Sequence, residues 1–505
     1  MALLSERLRL TELLASLSLA TDLGTGQPLG HGLRTCLLSV ALAREMGCSP
    51  DQVRWVHQVA LLRFLGCTAD ASETAHGVGG NDLSFNSAMS PMLYGSRSRT
   101  LVSYVKAVGR EQTLGRRAAL RAAALIHEVG DLAAHCEVAA MLARRLGMPR
   151  EVLHALDHAY ERWDGKGFPA RLAGEEVPLE IRISMVARDA DLFHAQGDNV
   201  KGMLARRREK AYDPKVVDAY RRLTPVNHEA EWEEVMDAEP EPVAYIDDAD
   251  RALRVMADFG DLKSPWTRGH SVKVADLVGR AARAAGLAEA ECRDLERAGL
   301  VHDIGRVGVE NGVWDKAASL STVEWEKVRL HPYLTQRILA RCRVLAPLGE
   351  LAASHHERLD GSGYHRQLSA DHLSLGARLL AAADALVALT SSRPHREAMN
   401  LEDANRVLDG EAAAGRLDGR AVAYVLTAAT GQGAPPRVSN PGGMTDREVE
   451  VLRLLAAGHT NREMGETLFI SPKTVGRHVE NIYAKIGVST RAGATVYAME
   501  HRLLG

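Results

Sequence analysis

Seven possible metal ligands, five histidines and two aspartates, follow one another in the middle of this 505-residue chain. In chain order they are His270, His302, Asp303, His331, His355, His356 and Asp384. An aspartate beside a histidine can bridge two cations while imidazoles fill the remaining coordination positions. A fold that uses the whole set must bring residues more than a hundred positions apart into one place, which constrains the chain more than any other feature.

The chemistry of these side chains narrows the choice of metal. The set offers nitrogen and oxygen donors and contains no thiolate, which suits iron or manganese better than a structural zinc. We therefore expect two divalent transition metals as cofactors. An alternative stays open for each histidine taken alone, because a helical domain also buries single histidines as hydrogen-bonded core residues.

The residues around the ligands form four short motifs. They read TRGHS (267–271), VHDIGR (301–306), HPY (331–333) and HHERLDGSGYH (355–365). Together and in this order they resemble the HD-GYP family of metal-dependent phosphodiesterases over roughly residues 251–400. The resemblance implies that all seven side chains bind metal, that Asp303 and Arg306 are catalytic, and that the substrate is cyclic di-GMP or a related nucleotide.

Three positions depart from the family pattern. Arg306 replaces the usual lysine and keeps the charge, while Trp266 stands where trinuclear members place a glutamate, so we expect two metals. His365 replaces the proline of the signature, which leaves the substrate open. Two alternatives remain: a sensor that binds a nucleotide without hydrolysing it, and a phosphohydrolase of another phosphate ester. The resemblance places the substrate against Arg306, Asp360, Gly361, Gly363, Tyr364, Arg393 and Arg396.

The end of the chain resembles a LuxR-type helix-turn-helix domain. Thr445 with Glu448 predicts a capping box, and Ser471 followed by Pro472 predicts the start of another helix. In that helix a stripe of apolar residues is predicted to be buried: Val475, Val479, Ile482 and Ile486. The other face is expected to read DNA through Lys473, Thr474, Arg477, His478, Asn481 and Lys485. The domain's charge is nearly balanced, so we expect a homodimer to be needed for tight binding.

The first half of the chain repeats the motifs in a degenerate form. LGHGLRT (29–35) corresponds to RGHSVKV (268–274), and ERWDGKGFPARL (161–172) corresponds to ERLDGSGYHRQL (357–368). At the positions of His302 and Asp303 the first copy has Arg63 and Phe64, and at those of the histidine pair it has Ala159 and Tyr160. His31 and His135 survive, with Asp189 and Asp191 near the last ligand position. Without a bridging aspartate we expect no catalysis here, and a supporting role beside the second copy.

Composition and segment boundaries complete the predicted organisation. The chain is 46% apolar with 5% aromatic residues, which favours an all-α fold of tandem helical HD-type domains followed by a four-helix DNA-binding domain. We expect domains at 1–228, 251–430 and 443–505, an exposed acidic linker at 229–250 and a flexible Gly- and Pro-rich linker at 431–442. Six isolated cysteines imply no disulfide framework. No apolar run reaches transmembrane length, so we expect a cytoplasmic protein with no membrane partner.

Overall fold

The computed structural model describes residues 7–95, 97–124, 132–223, 232–431 and 440–504. Within these ranges helices are joined by turns, and β-structure is limited to isolated bridges. The predicted all-α fold is confirmed. No helix in the described ranges has both the length and the apolar character needed to cross a bilayer. The chain forms two compact units, Leu8–Ala249 with Glu310–Gly312, and Asp250–Val309 with Val313–Gly505.

Twenty-seven α-helices lie in the described part of the chain. The first thirteen are α1 Leu10–Gly24, α2 His31–Glu45, α3 Pro50–Leu62, α4 Ala71–Val78, α5 Asp82–Met89, α6 Arg97–Ala107, α7 Leu114–Ala124, α8 Leu132–Arg145, α9 Arg150–Asp157, α10 Leu179–Ala195, α11 Val200–Arg207, α12 Pro214–Arg222 and α13 Trp232–Ala238. The others are α14 Ala249–Asp261, α15 His270–Ala284, α16 Glu289–Val301, α17 Asn311–Trp314, α18 Thr322–Arg329, α19 His331–Leu339, α20 Ala346–Ala352, α21 Leu375–Leu389, α22 Leu401–Ala413, α23 Gly419–Thr430, α24 Asp446–Ala456, α25 Asn461–Leu468, α26 Pro472–Ile486 and α27 Arg491–Glu500. Short 3₁₀ turns occur at Ser90–Met92, Gly174–Glu176, Ile304–Gly308, Ala370–His372 and Pro441–Gly443.

The two copies of the repeated motifs are built alike at the start of one helix. Helices α2 and α15 each begin at a histidine that follows a glycine in the left-handed conformation, Gly30 with φ 88° and Gly269 with φ 74°. A buried aspartate at the end of the preceding helix holds the turn. Asp22 accepts from the backbone N–H of Gly30 at 2.8 Å, and Asp261 accepts from that of Ser271 at 2.9 Å. The same local construction therefore places one histidine in each unit.

Within the acidic segment 229–250, residues 232–239 are not the exposed connector that the composition predicts, whereas residues 240–250 are partly or fully exposed. Helix α13 lies within it and buries Trp232 and Val235 in the first unit. Glu239 is also buried and accepts a hydrogen bond from Arg9 at 2.7 Å. The correction has a simple physical reason: the acidic side chains share the segment with apolar residues at helical spacing, and burial of those residues outweighs the charge of the exposed face.

The C-terminal helices form the predicted four-helix domain, α24 to α27, around a core of their own. Its predicted caps are confirmed: Thr445 and Glu448 form a reciprocal capping box, and the Ser471 side chain accepts from the N–H of Thr474. In α26, Val475 and Ile482 are fully buried. The other two members of the predicted stripe, Val479 and Ile486, pack partly buried against the same core.

The C-terminal domain belongs to the same compact unit as the second copy and touches it. Arg268 donates a hydrogen bond to the carbonyl of Ala456 at the end of α24. Arg502 and Asp276 form an exposed ion pair at 3.4 Å. Most of the second predicted linker, residues 432–439, lies outside the described residues.

Candidate metal centre

The ends of several helices carry the seven predicted ligands to one buried point. Two of them, His270 and His331, are the first residues of α15 and α19. The HD pair follows the last residue of α16, and the histidine pair lies in the turn after α20. Asp384 projects from the middle of α21. Helix ends can hold side chains at fixed angles to one another, so five separate elements supply one site.

Two groups of ligand atoms are present, and Asp303 lies between them. On one side its Oδ2 atom is 3.6 Å from His270 Nε2 and 3.4 Å from His302 Nε2. Asp384 Oδ1 joins this group, at 3.0 Å from His270 Nε2. The three outer ligands lie close enough together to bind one metal ion.

The other oxygen of Asp303 faces the second group. Asp303 Oδ1 is 3.3 Å from His331 Nε2 and 3.5 Å from His355 Nε2. His331, His355 and His356 form a further set of close ligand atoms. One carboxylate thus turns a different oxygen to each histidine group, which is the arrangement expected for a ligand that bridges two cations.

Backbone carbonyls orient three of the imidazoles. The Nδ1 atoms of His302, His331 and His355 lie 2.8, 2.5 and 2.7 Å from carbonyl oxygens three residues earlier in the chain. A carbonyl can only accept, so each Nδ1 carries a proton, and in the neutral ring that binds metal the lone pair is on Nε2, close to Asp303. Hydrogen bonding of this kind fixes the tautomer and ring angle of metal-ligating histidines.

Burial and mutual charge strongly perturb these groups. Burial lowers the pKa of His270 to about 4 and lowers that of His331. For His302, burial acts in the same direction, but Asp303 and Asp384 outweigh it and raise the pKa to about 9. Burial would raise the pKa of Asp303, yet Arg306 and His302 hold it well below its usual range. Burial would also raise the pKa of Asp384, but His270 and His302 hold it well below its usual range, so both carboxylates are ionised at neutral pH, as metal ligands must be.

The residues fit a pair of metal ions. His270 Nδ1, His302 Nε2 and Asp303 Oδ1 are buried atoms without a hydrogen-bond partner among the described residues. Buried polar atoms left unpaired in this way are costly. Coordination by a cation would satisfy two of them, His302 Nε2 and Asp303 Oδ1, which face the centre. The donor set has no sulfur, as the sequence showed. Two-metal coordination therefore accounts for both the geometry and the unpaired atoms.

Arg306 lies directly beside the bridging ligand. Its Nη1 atom donates to Asp303 Oδ2 at 2.7 Å, and its guanidinium stacks on the Trp314 ring at 4.0 Å from the centroid. Asp303 and Arg306, the two predicted catalytic residues, are thus in direct contact. Trp266, the residue that replaces the family's glutamate, is partly exposed and its carbonyl accepts a hydrogen bond from Arg393 at 3.0 Å.

The loop that carries Tyr364 forms one wall of the site. The Tyr364 ring stacks on His356 with centroids 4.8 Å apart. Gly363 is packed so tightly that a Cβ would lie 2.5 Å from the Arg358 nitrogen, so no side chain fits there. Buried Glu357 fixes the loop by accepting from the backbone N–H of Arg366 at 2.8 Å. His365 stands in this loop with its ring against Tyr333.

The other predicted substrate residues differ in how close they lie to the predicted metal ligands. Burial and the nearby Arg306 lower the pKa of Arg393 to about 10, against the opposite effect of Asp384 and Asp303. Arg396 donates to the carbonyls of Ala388 and Leu389 at the end of α21, so its guanidinium holds backbone. Asp360 is exposed and accepts from Ser362 within its own turn, and Gly361 belongs to the same turn.

The predicted DNA-binding residues share one helix, and most are exposed. Lys473, Thr474, Arg477 and Asn481 are exposed, and His478 is partly buried. Lys485 differs, because its Nζ atom pairs with Glu448 at 2.7 Å. The exposed residues leave one polar face of α26 open over its first three turns.

The degenerate copy contains a replacement that the motif comparison missed. Helices α10 and α21 begin at equivalent positions, and in that register Arg188 rather than Asp189 or Asp191 stands where the second copy has Asp384. His31 is bonded to Asp191 at 2.6 Å, and His135 to Asp70 at 2.7 Å. The signal for this replacement is the spacing: the motifs at 161–172 and 357–368 and the starts of α10 and α21 are the same number of residues apart, as are Arg188 and Asp384.

A buried histidine-aspartate centre at the ends of helices, joined to a helix-turn-helix domain, defines a metal-dependent phosphohydrolase with a DNA-binding module. Comparison with known families agrees. The HD domain matches residues 131–216 and 254–421, and the description "Bacterial regulatory proteins, luxR family" matches residues 443–498. The chain belongs to the HD-GYP family of metal-dependent phosphodiesterases, in a tandem form whose first copy is degenerate.

Individual relatives cover different shares of the chain. The 3'3'-cGAMP-specific phosphodiesterase 3 of Vibrio cholerae is 30% identical over 420 residues, covering 79% of this chain and 90% of that protein. A cyclic di-GMP phosphodiesterase of Pseudomonas aeruginosa is 38% identical over 142 residues, 28% of this chain and 34% of that protein. A crystal structure of a cyclic GMP-AMP specific phosphodiesterase of V. cholerae matches with a TM-score of 0.58 and 26% identity, over 85% of this chain and 99% of that one.

Proposed function

We propose that the second copy hydrolyses a cyclic dinucleotide, cyclic di-GMP or 3'3'-cGAMP, and that the chain is a cytoplasmic transcriptional regulator controlled by that nucleotide. The observation that carries the hydrolase is the bridging position of Asp303 between two groups of histidines. The substrate class is supported by what the relatives with matching HD regions act on. The regulatory role is supported by the LuxR-type domain at the C-terminus.

The site residues divide into those that would hold metal and those that would hold substrate. All seven ligands would hold two divalent ions, which we propose to be iron or manganese. Such ions lower the pKa of a bound water and neutralise charge on the phosphodiester. Arg306 keeps Asp303 ionised through its 2.7 Å contact. Arg393 stays cationic at neutral pH and adds positive charge on the side of Trp266.

The loop that carries Tyr364 shapes the wall of the proposed substrate site. Its tyrosine ring stacks on His356, and Gly363 packs against the backbone of Glu357 and Arg358, which holds the loop in place. We propose that a base or ribose of the substrate packs against this wall while its phosphate faces the ligands. His365 changes the outer surface of the loop, where it meets Tyr333, and leaves the seven ligands intact. The replacement of the family proline therefore bears on substrate choice.

Metal content and turnover test the proposal together. Purified full-length protein is expected to hold about two transition-metal ions per chain and to cleave a cyclic dinucleotide when offered cyclic di-GMP, 3'3'-cGAMP and a simple aryl phosphodiester. Asp303→Asn removes the bridging charge, so it should lose most of the metal and reduce turnover by at least about 100-fold. The exposed Asp371→Asn is the matched control, and elemental analysis and product chromatography are the measurements.

The outcomes separate the alternatives. Nucleotide binding with metal present and no product would favour a sensor, and cleavage of the aryl ester alone would favour another phosphohydrolase. Wild-type protein that holds no metal after growth with iron and manganese would remove the enzyme proposal. Retention of both ions by Asp303→Asn would show that this residue is not the bridge.

A further inference from the structure

The degenerate copy encloses a cavity at the position that the metal centre occupies in the second copy. Its volume is about 360 Å³, and it is bounded by helices of the first unit, from α1 to α10. Four residues at former ligand positions line it: Arg63, Phe64, Tyr160 and Arg188. The loss of metal ligands has therefore left an open space rather than a filled core.

Two of the replacements change the chemistry of that space. A ligand histidine has become Arg63 and the ligand Asp384 has become Arg188, so guanidinium groups stand where the second copy has ligands for cations. Their exposed fractions are 2% and 3%. A buried guanidinium repels a metal ion and favours an anion. Chemically, the site has been converted from one that attracts cations to one that attracts anions.

Arg63 has a guanidinium without a carboxylate partner in the described ranges. It donates to the carbonyl of Ala159 at 2.6 Å, to Ser184 Oγ at 3.3 Å and to the hydroxyl of Tyr94. Its Nε–H is buried and has no acceptor among the described residues. Neutral acceptors orient the group and leave its charge uncompensated, and a buried charge of this kind is costly unless an anion joins it.

Arg188 shares its only described carboxylate. It contacts Asp189 Oδ1 at 2.6 Å and Ser90 Oγ, while Asp189 Oδ2 is also 2.7 Å from Arg207 and bonded to Tyr212. One carboxylate thus serves two arginines. The Nε–H of Arg188 is a second buried donor without an acceptor in the described part of the chain.

The acidic residues at the cavity do not supply the missing charge. Asp70 is held by His135 at 2.7 Å. Burial raises the pKa of Asp22 to about 8, so this carboxyl is mainly protonated at neutral pH. Asp191, nearby in α10, is bonded to His31 and Arg34. The charge of the cavity is therefore positive on the side of Arg63 and Arg188.

The lining also includes aliphatic and aromatic side chains, interspersed with polar residues such as Thr74 and Asn86. Phe64, Phe85 and Tyr160 face the cavity together with Leu61 and Leu93. Flat rings beside a cationic end suit a ligand that has a planar apolar part and an anionic part. A volume of about 360 Å³ is at the lower end of small-molecule pockets, which span roughly 300 to 1,000 Å³. That size suits a mononucleotide better than a cyclic dinucleotide.

We propose that the degenerate copy is a metal-independent binding site for a nucleoside monophosphate, whose phosphate pairs with Arg63 and Arg188 and whose base lies among the aromatic rings. The site is separate from the seven metal ligands. It does not depend on the hydrolase activity of the second copy.

Binding to metal-free full-length protein tests the site. After treatment with a chelator, GMP, AMP, guanosine and inorganic phosphate are titrated by calorimetry. A nucleoside monophosphate should bind at about one per chain and at least tenfold more tightly than guanosine, and it should raise the melting temperature of the protein. Arg188→Met and Arg63→Lys should each weaken that binding at least tenfold, because one loses the charge and the other loses the guanidinium geometry.

Arg306→Met is the matched control, since it removes the arginine of the second copy and should leave monophosphate binding unchanged. The Arg63→Lys variant keeps a buried cation, and its melting temperature without ligand shows whether folding is intact. Loss of binding in Arg306→Met alone would place the ligand in the second copy and overturn the proposal. Equal affinity for guanosine, equal affinity for free phosphate, unchanged binding in both arginine variants, or no binding by any monophosphate would each reject it as well.

Discussion

At the scale of the residue, the difference between the two copies rests on a few side chains. Asp303 can face two histidine groups because it has two oxygens on one rigid carboxylate. Phe64 at the same position offers no ligand atom, and Arg63 beside it carries a positive charge. The first copy keeps the surrounding helices, although ligand side chains are lost at five positions: Arg63, Phe64, Ala159, Tyr160 and Arg188.

A buried histidine outside both sites predicts how stability depends on pH. His57 is fully buried, its Nε2 lies 3.3 Å from the carbonyl of Val235, and burial lowers its pKa to about 4. The unfolded chain binds a proton here below about pH 6.5, and the folded chain does so only near pH 4. Above pH 6.5 the titration of His57 does not affect the free energy of unfolding. As the pH falls from 6.5 towards 4, the unfolded chain binds the proton more readily and the folded chain loses stability.

His57→Gln should therefore become more stable relative to wild type in acid. Between pH 7 and pH 4.5 the difference in unfolding free energy should move by about 2 kcal/mol in favour of the variant. Urea unfolding of the metal-free proteins at both pH values measures it. A difference that does not change with pH would show that His57 is protonated in the folded chain as readily as in the unfolded one.

At the scale of the element, helix α26 separates structure from recognition. Its buried side holds Val475 and Ile482, and its open side carries Lys473 and Arg477. The two sides are set by a helical period of 3.6 residues, so substitution on one side need not disturb the other. Lys485 near the end of the helix is bound to Glu448, and its substitution would test packing as well as DNA contact.

Alanine variants on the two sides of α26 should differ in whether they weaken DNA binding or lower stability. Lys473→Ala and Arg477→Ala are each expected to weaken DNA binding and to lower its salt dependence by about one released ion, without changing the melting temperature. Val479→Ala, partly buried, should cost no more than a few kcal/mol of stability. Titrations at several salt concentrations beside thermal unfolding distinguish the two effects. Unchanged DNA affinity in both charge variants would mean that another element reads the DNA.

At the scale of the whole molecule, one contact offers a route from the metal centre to the DNA-binding domain. Arg268 lies two residues before the ligand His270 and donates to Ala456 at the end of α24. A ligand can change DNA binding only if it favours one arrangement of this contact or of paired chains over another. The hydrogen bond between Arg268 and Ala456 is a candidate for the first of these arrangements. Dimerisation stays a prediction, which rests on the need for two DNA-binding domains.

A non-hydrolysable cyclic dinucleotide should therefore change the DNA affinity of the full chain several-fold, in line with about 1 to 3 kcal/mol for typical coupling. Arg268→Met should reduce that change, because it removes the hydrogen bond to Ala456. Arg280→Met is a matched control, since Arg280 donates to the carbonyl of Ala428 within the second copy. DNA titrations with and without the nucleotide decide the matter, and identical isotherms for wild type at saturating nucleotide would exclude coupling.

Local sequence determined much of this protein. Helix caps such as Thr445 with Glu448 depend on residues three apart, and the apolar stripe of α26 depends on spacing within one helix. The candidate metal ligands could be predicted because each short motif keeps its residue types and order, even though the motifs lie far apart. The all-α fold followed from the same local patterns.

Tertiary structure decided what local patterns cannot express. The acidic segment was predicted to be exposed, but Trp232 and Val235 within it are buried. The composition of the segment does not show that the first unit offers a surface to bury them. That Arg188 lines an open cavity depends on how the helices of the first unit pack. Which oxygen of Asp303 faces which histidine depends on how five elements pack. Such properties arise from contacts between residues distant in the chain, and the sequence alone does not fix their geometry.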